Sequence, residues 1–110
     1  VRPVDVNLPP AGLDKSTWRR FSAGRLPVAA KLDLHGHSAV RAHTAVTQLI
    51  TRAYAEQTRC VEIITGNGAV LARELPLWLN AAPLRPLILA MAHPHPGNTG
   101  AVRILLRRSR

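Results

Sequence analysis

The sequence predicts a small α/β domain, a sheet carrying two helices on one face, with the order β-α-β-α-β-β. Three observations predict it. Ala30-Lys31-Leu32-Asp33-Leu34-His35 alternates apolar and polar residues, as a half-buried strand does. Val40, Ala42, Ala45, Val46, Leu49, Ile50, Ala53 and Tyr54 then recur at helical spacing. Cys60 to Thr65 is a β-branched run that reads as a second strand. A right-handed crossover through the intervening helix makes these two strands parallel.

The elements follow in order. Residues 1–12 hold Pro3, Pro9, Pro10 and Gly12 and read as an extended tail or linker. Asp14 to Phe21 is a short helix capped by Asp14 or Ser16, with Trp18 and Phe21 on one side. Gly24 and Pro27 end it, so residues 1–27 form an N-terminal helical arm docked on a body of residues 28–110. Gly36 breaks the first strand, Ser38 caps the long helix, and that helix runs to about Gln57. After the turn Gly66-Asn67-Gly68, a second helical stripe runs through Val70, Leu71, Leu75, Trp78 and Leu79. Pro76 lies inside it, where a proline costs about 3 kcal/mol. Arg85 to Ala92 is a third strand, His93 to Gly100 a loop, and Ala101 to Leu106 a final strand before an Arg-rich end.

Composition narrows function. The 110 residues make one domain, and 46% hydrophobic against 19% charged residues is a globular balance. Fifteen Lys and Arg face six Asp and Glu, a formal charge of +9, and only Lys15 and Lys31 are lysines. Guanidinium forks match phosphate oxygens bidentately, so the charge points to a nucleic-acid partner. One cysteine, Cys60, excludes an intrachain disulfide and a Cys-based zinc site, and fits a reducing, cytoplasmic setting. The apolar stretch Leu87 to Ala92 is too short for a membrane helix, and Val-Arg-Pro-Val-Asp has no apolar signal core behind it. No GxxxxGK[ST] occurs, so no nucleotide cofactor is expected.

Three segments can carry chemistry. In Leu32-Asp33-Leu34-His35-Gly36-His37, Asp33 and His35 are two apart on a strand and share a face, where a carboxylate can orient an imidazole. Thr65-Gly66-Asn67-Gly68 joins a strand to a helix, whose first amides suit a phosphate, with Arg73 one turn further on. His93-Pro94-His95-Pro96-Gly97-Asn98-Thr99-Gly100 joins the last two strands. If the third strand runs parallel to the first two, all three loops open at one sheet edge. Arg103, Arg107 and Arg108 add backbone phosphate contacts. Trp18 and Trp78 read as packing residues, since only 4% of the chain is aromatic.

Leu32-Asp33-Leu34-His35-Gly36, Ile64-Thr65-Gly66-Asn67-Gly68 and Gly97-Asn98-Thr99-Gly100 stand in the order of the LDLHG, TGxG and late GGxG-type motifs of the Smr (small MutS-related) domain. Trp18-Arg19-Arg20 with Gly24-Arg25-Leu26-Pro27 resembles the extension of stand-alone bacterial Smr proteins. The helix from Val70-Leu71 to Trp78-Leu79, Pro76 included, resembles the family's VLR…PxWL helix. The late loop reads Gly97-Asn98 where two glycines are usual. The resemblance implies a two-layer sandwich similar to the C-terminal domain of translation initiation factor three. It also implies binding of structured or branched nucleic acid and, in several members, endonuclease activity, with the motif's Asp and His at Asp33 and His35.

The expectation is an endonuclease on DNA or RNA, with His35 as general base or acid and Asp33 orienting it. His37, Thr65, Gly66, Asn67, Gly68, Arg73, His93, His95, Gly97, Gly100, Arg103, Arg107 and Arg108 are its candidate binding residues. The alternative is a non-catalytic nucleic-acid binding module. A metal site from Asp33, His35, His37, His93 and His95 is a third reading; no resident metal is expected. Mg²⁺ would help if the substrate is DNA, because water must then attack.

Overall fold

The computed structural model describes residues 2–66 and 68–109. Its elements are α1 (Lys15–Ser22), β1 (Ala30–Asp33), α2 (Ala39–Ala55), β2 (Cys60–Ile64), α3 (Ala69–Leu79), β3 (Ile88–Ala92) and β4 (Ala101–Leu106), with a 3₁₀ turn at Arg85–Leu87. The four strands lie in the order β1-β2-β4-β3. β1 pairs parallel with β2, and β4 pairs antiparallel with both β2 and β3. β1, β2 and β3 therefore run in one direction, and their C-terminal ends share an edge with the start of β4.

Alternation along the strands makes two faces. Val61 and Ile63 of β2 and Val102, Ile104 and Leu106 of β4 face α2 and α3. Ala42, Val46, Ile50 and Ala53 of α2 and Leu75 and Leu79 of α3 complete this core. Leu34, Ile50, Ile63, Leu75, Leu79 and Ile104 are wholly buried, and each such side chain contributes roughly 1.5–3 kcal/mol. Pro76 stays inside α3, between buried Leu75 and Leu79. The carbonyl of Pro76 accepts bonds from the main-chain and side-chain N–H groups of Asn80, which close the helix end.

The opposite face carries Cys60, Ala90, Ala92 and Leu105, covered by Phe21 of α1 with Trp18 packed beside it. Asp14 caps α1, accepting from the Thr17 amide and hydroxyl, each at 2.9 Å. Those bonds hold its carboxyl below the ordinary carboxylate range. Burial pushes the Cys60 thiol up to about 11, so it stays protonated near neutrality and packs as a small apolar group. On the same face Lys31, Glu62 and Arg103 stand side by side on β1, β2 and β4.

Three boundaries differ from the sequence reading. β1 ends at Asp33 because the chain turns at His35-Gly36. β3 starts at Ile88, since Arg85–Leu87 coils into the 3₁₀ turn with Pro86 inside it. Residues 2–9 are not a loose tail. Val4 is 2% exposed in the main core, Val6 bridges Met91 in parallel, and the Asn7 amide donates to the Met91 carbonyl at 2.9 Å. Asn80 Oδ1 accepts from the Val4 amide while Asn80 Nδ2 donates to the Val4 carbonyl. The segment thus shields the open edge of β3, an edge that would otherwise template pairing with another chain.

Candidate functional site

The parallel course of β3 brings the three loops to one edge. Leu34 is fully buried, and its amide donates to the Ile64 carbonyl at 2.8 Å, anchoring the first loop beside β2. The His37 amide then donates to the Leu34 carbonyl at 2.9 Å, closing a turn whose third residue, Gly36, has φ +79°. Glycine reaches that conformation without the steric cost other residues meet. His35 stands exposed on the turn, and Ser38 caps α2 by accepting from the Arg41 amide.

Asp33 does not act as the alternation suggests. Its Oδ1 accepts from the His35 main-chain amide at 2.9 Å, an Asx-type bond two residues on. The carboxylate fixes the turn that carries the imidazole, instead of bonding the imidazole across a shared strand face. Spacing shows that Asp33 and His35 are near each other; it does not show which atom of His35 the carboxylate takes.

In the second loop the amides of Thr65 and Gly66 both donate to the Gly100 carbonyl, at 2.9 and 3.0 Å. The Thr65 hydroxyl reaches the same oxygen at 3.3 Å. Thr65 is thus a buried tie between β2 and the third loop. Gly68 begins α3 with no side-chain cap, so the amides of the first turn remain available to a ligand. Asn67 lies outside the described residues. Gly100 is fixed by proximity: a Cβ there would stand 3.1 Å from the Gly66 oxygen and 3.3 Å from its carbonyl carbon. Gly100→Ala is expected to push the two loops apart and to cost about 1–3 kcal/mol, measured by denaturant unfolding.

The third loop is closed by its own side chains. Asn98 Oδ1 accepts from the Gly100 amide at 3.1 Å, and the Asn98 amide donates to the His95 carbonyl. Asn98 thereby occupies the second position of Gly97-Asn98 with a structural bond. His93 is half-buried; its amide donates to Asn7 Oδ1, and its Nδ1 lies 2.9 Å from the Ala101 carbonyl. A carbonyl only accepts, so Nδ1 carries the hydrogen. His95 and Gly97 are exposed, and Gly97 lies against the His95 ring.

The structure separates the remaining candidates. Arg73 is exposed on α3. Arg103 lies mid-strand on the α1 face, its Nε 2.9 Å from Glu62 Oε1. Arg107 and Arg108 follow the far end of β4, six residues or about 20 Å from the loops. There they line a surface cleft with Tyr54, Arg59 and Leu89. Burial, then the neighbouring Arg108, lowers the pKa of Arg59; burial, then Arg107, lowers that of Arg85. Among the described residues no group of three or more His, Cys, Asp or Glu could hold a metal ion, so the five-residue metal cluster is not assembled. Sequence reasoning missed Asn7 and Glu62; an Asn between apolar residues and a lone strand glutamate carry no motif.

The Smr domain family profile matches residues 32–107. The structure superimposes on YdaL, a stand-alone small MutS-related protein from Escherichia coli, with a TM-score of 0.74 at 25% identity. That match covers 92% of this chain and 82% of the other. The Smr domain of Thermus thermophilus MutS2 shares the fold, with a TM-score of 0.64 at 22% identity over 72% of this chain and 99% of that one. Among sequences, the chain is 29% identical over 99 residues to the ribosome rescue factor SmrB of Haemophilus ducreyi, covering 89% of this chain and 55% of that protein. It is 32% identical over 66 residues to the SmrB of Buchnera aphidicola subsp. Acyrthosiphon pisum (strain Tuc7), covering 59% and 36%. The chain thus spans about half or less of the length of these relatives. The profile match, with all three motif loops inside it, places the chain in the Smr domain family.

Proposed function

We propose that this domain binds nucleic acid and cleaves its phosphodiester backbone, with RNA the favoured substrate. One observation carries the reading: exposed His35, the uncapped start of α3 and the His93–Gly100 loop meet at one sheet edge, the last two tied through the Gly100 carbonyl and the first anchored to Ile64. An anion at the α3 start meets free amides and the positive end of the helix dipole. Binding is further supported by the +9 charge. Among the described residues the ion pairs all go to Glu62, so Arg73, Arg107 and Arg108 keep their charge for phosphates. The relatives named ribosome rescue factors point toward RNA and a cytoplasmic setting.

Cleavage needs a base, an acid and charge stabilisation. On RNA the 2′-oxygen attacks the adjacent phosphorus, its proton passes to His35 Nε2 or Nδ1, and the P–O5′ bond breaks. The 5′-oxygen takes up a proton, leaving a 2′,3′-cyclic phosphate. Asp33 is the one carboxylate in or flanking the three loops, and it already holds the His35 amide. This donor set does not fit a two-metal carboxylate centre, and no step here passes through Mg²⁺.

The test is incubation of the protein with structured RNA, duplex DNA and branched DNA, with Mg²⁺ and with EDTA. RNA cut in EDTA to cyclic-phosphate ends supports the reading. Binding without cutting on any substrate overturns the catalytic half and leaves a binding module. The Asp33 geometry gives a second expectation. Asp33→Asn keeps an acceptor oxygen for the turn and is expected to retain cleavage within a few-fold. Asp33→Ala frees the turn and is expected to lose about ten- to a hundredfold. Equal losses in the two variants would show that the charge itself acts on the reaction.

A further inference from the structure

We infer that a cleft beside the three loops is a pocket for one unpaired nucleobase, a reading that rests on nucleic-acid binding at the loops. The cleft, of about 350 Å³, is lined by Asn7, Trp18, Ser22, His93, His95 and Pro96. Three separate pieces of chain build it: the strap along β3, the arm helix α1 and the β3–β4 loop. Its walls have the chemistry of a base site. Trp18 is half-buried, docked near Phe21 with ring centroids 6.0 Å apart, and still lines the opening. An indole offers a base a flat face for stacking, and the imidazoles and the proline ring add apolar and aromatic walls.

The polar groups are already set. Asn7 Oδ1 is committed to the His93 amide, which leaves the two Nδ2 hydrogens as donors. His93 Nδ1 gives its hydrogen to the Ala101 carbonyl, which makes Nε2 the acceptor of the neutral ring. A donor and an acceptor from two adjoining residues are what the edge of a base requires. The position also suits a substrate. Ala101, which holds His93, adjoins Gly100, which holds the Thr65-Gly66 loop. Two consecutive residues thus hold the wall of the cleft and the phosphate loop, each through its own carbonyl. A strand with its phosphate at the loops can place a neighbouring base in the cleft only if that base is unpaired. The cleft would therefore select single-stranded or looped segments.

The experiment compares two probes of equal length and charge: a single-stranded oligoribonucleotide and an oligomer of the same sugar-phosphate backbone without bases. Affinities are measured by anisotropy for the unaltered chain, Trp18→Ala and Trp18→Phe. The unaltered chain is expected to prefer the base-bearing probe by about 5- to 100-fold. Trp18→Ala is expected to lose that preference while binding the abasic backbone as before, and Trp18→Phe to keep most of it. In a Trp78→Phe background, which removes the indole stacked on His43 at 4.9 Å, the base-bearing probe is expected to quench the remaining fluorescence. Equal affinity of the unaltered chain for both probes overturns the pocket. So does a Trp18→Ala loss that is the same for both, which marks Trp18 as arm packing alone. Binding of neither probe also overturns the pocket, while retained binding of the structured RNA or branched DNA of the cleavage test keeps the nucleic-acid reading apart from it.

Discussion

Replacing His35 with alanine is expected to lower cleavage by about 10²- to 10⁴-fold while affinity stays within a few-fold. The size follows from the proposed role. A positioned group that moves the proton of the attacking oxygen acts in the transition state and adds little to ground-state binding. His35 is the motif histidine, exposed on a turn fixed by three bonds: Asp33 Oδ1 with the His35 amide, His37 to Leu34, and Leu34 to Ile64. Its side chain makes no packing that the fold needs, so His35→Ala is expected to change stability by no more than about 0.5 kcal/mol. Matched unfolding curves with collapsed kcat would place the loss in the chemistry. Undiminished kcat would remove His35 from the reaction and leave His37, His93 and His95 as the remaining histidines of these loops.

The fold was largely legible because its signals are local. Alternation marks β1, the 3.6-residue stripe marks α2, and β-branched Val61, Ile63 and Ile64 mark β2. Strand order was not legible: β4 inserts between β2 and β3 through contacts some 40 residues apart, as in the pairing of Glu62 with Arg103. The strap was hidden for a related reason. Val4 and Val6 sit among prolines, and two apolar residues make no periodic pattern, although the β3 edge gives them a partner. At the site, residue types and their grouping in three loops were legible, while individual contacts were not. Asp33 had two chemically sound partners in His35, and the local main-chain amide won. The arginines carry charge but no address, so Arg73, Arg103, Arg107 and Arg108 fall on a helix, a sheet face and the far end of β4.

Arg103 is where that difference is largest, and Arg103→Ala is expected to destabilise the fold with little effect on phosphate contact. Its Nε donates to Glu62 Oε1 at 2.9 Å, and the two side chains are only 21% and 8% exposed. The second cation near Glu62, Lys31, stands at 4.0 Å with a side chain 62% exposed, so it is a weaker and more screened partner. The arm closes over the pair, since a Cβ on Gly24 would come within 3.1 Å of Arg103 Nη1. Removing the guanidinium leaves a buried carboxylate without its close hydrogen-bonded cation, a loss of about 3 kcal/mol. For a domain of this size that is a Tm fall of about 12–24 °C, readable by calorimetry. Adding Glu62→Gln to Arg103→Met removes both charges at similar volume and is expected to recover most of the loss. The salt dependence of nucleic-acid binding separates this role from phosphate contact. A structural Arg103 leaves the slope of log K against log salt unchanged, whereas a phosphate ligand lowers it by about one. An unchanged Tm with a reduced slope would return Arg103 to the substrate; the bond to Glu62 argues for the opposite result.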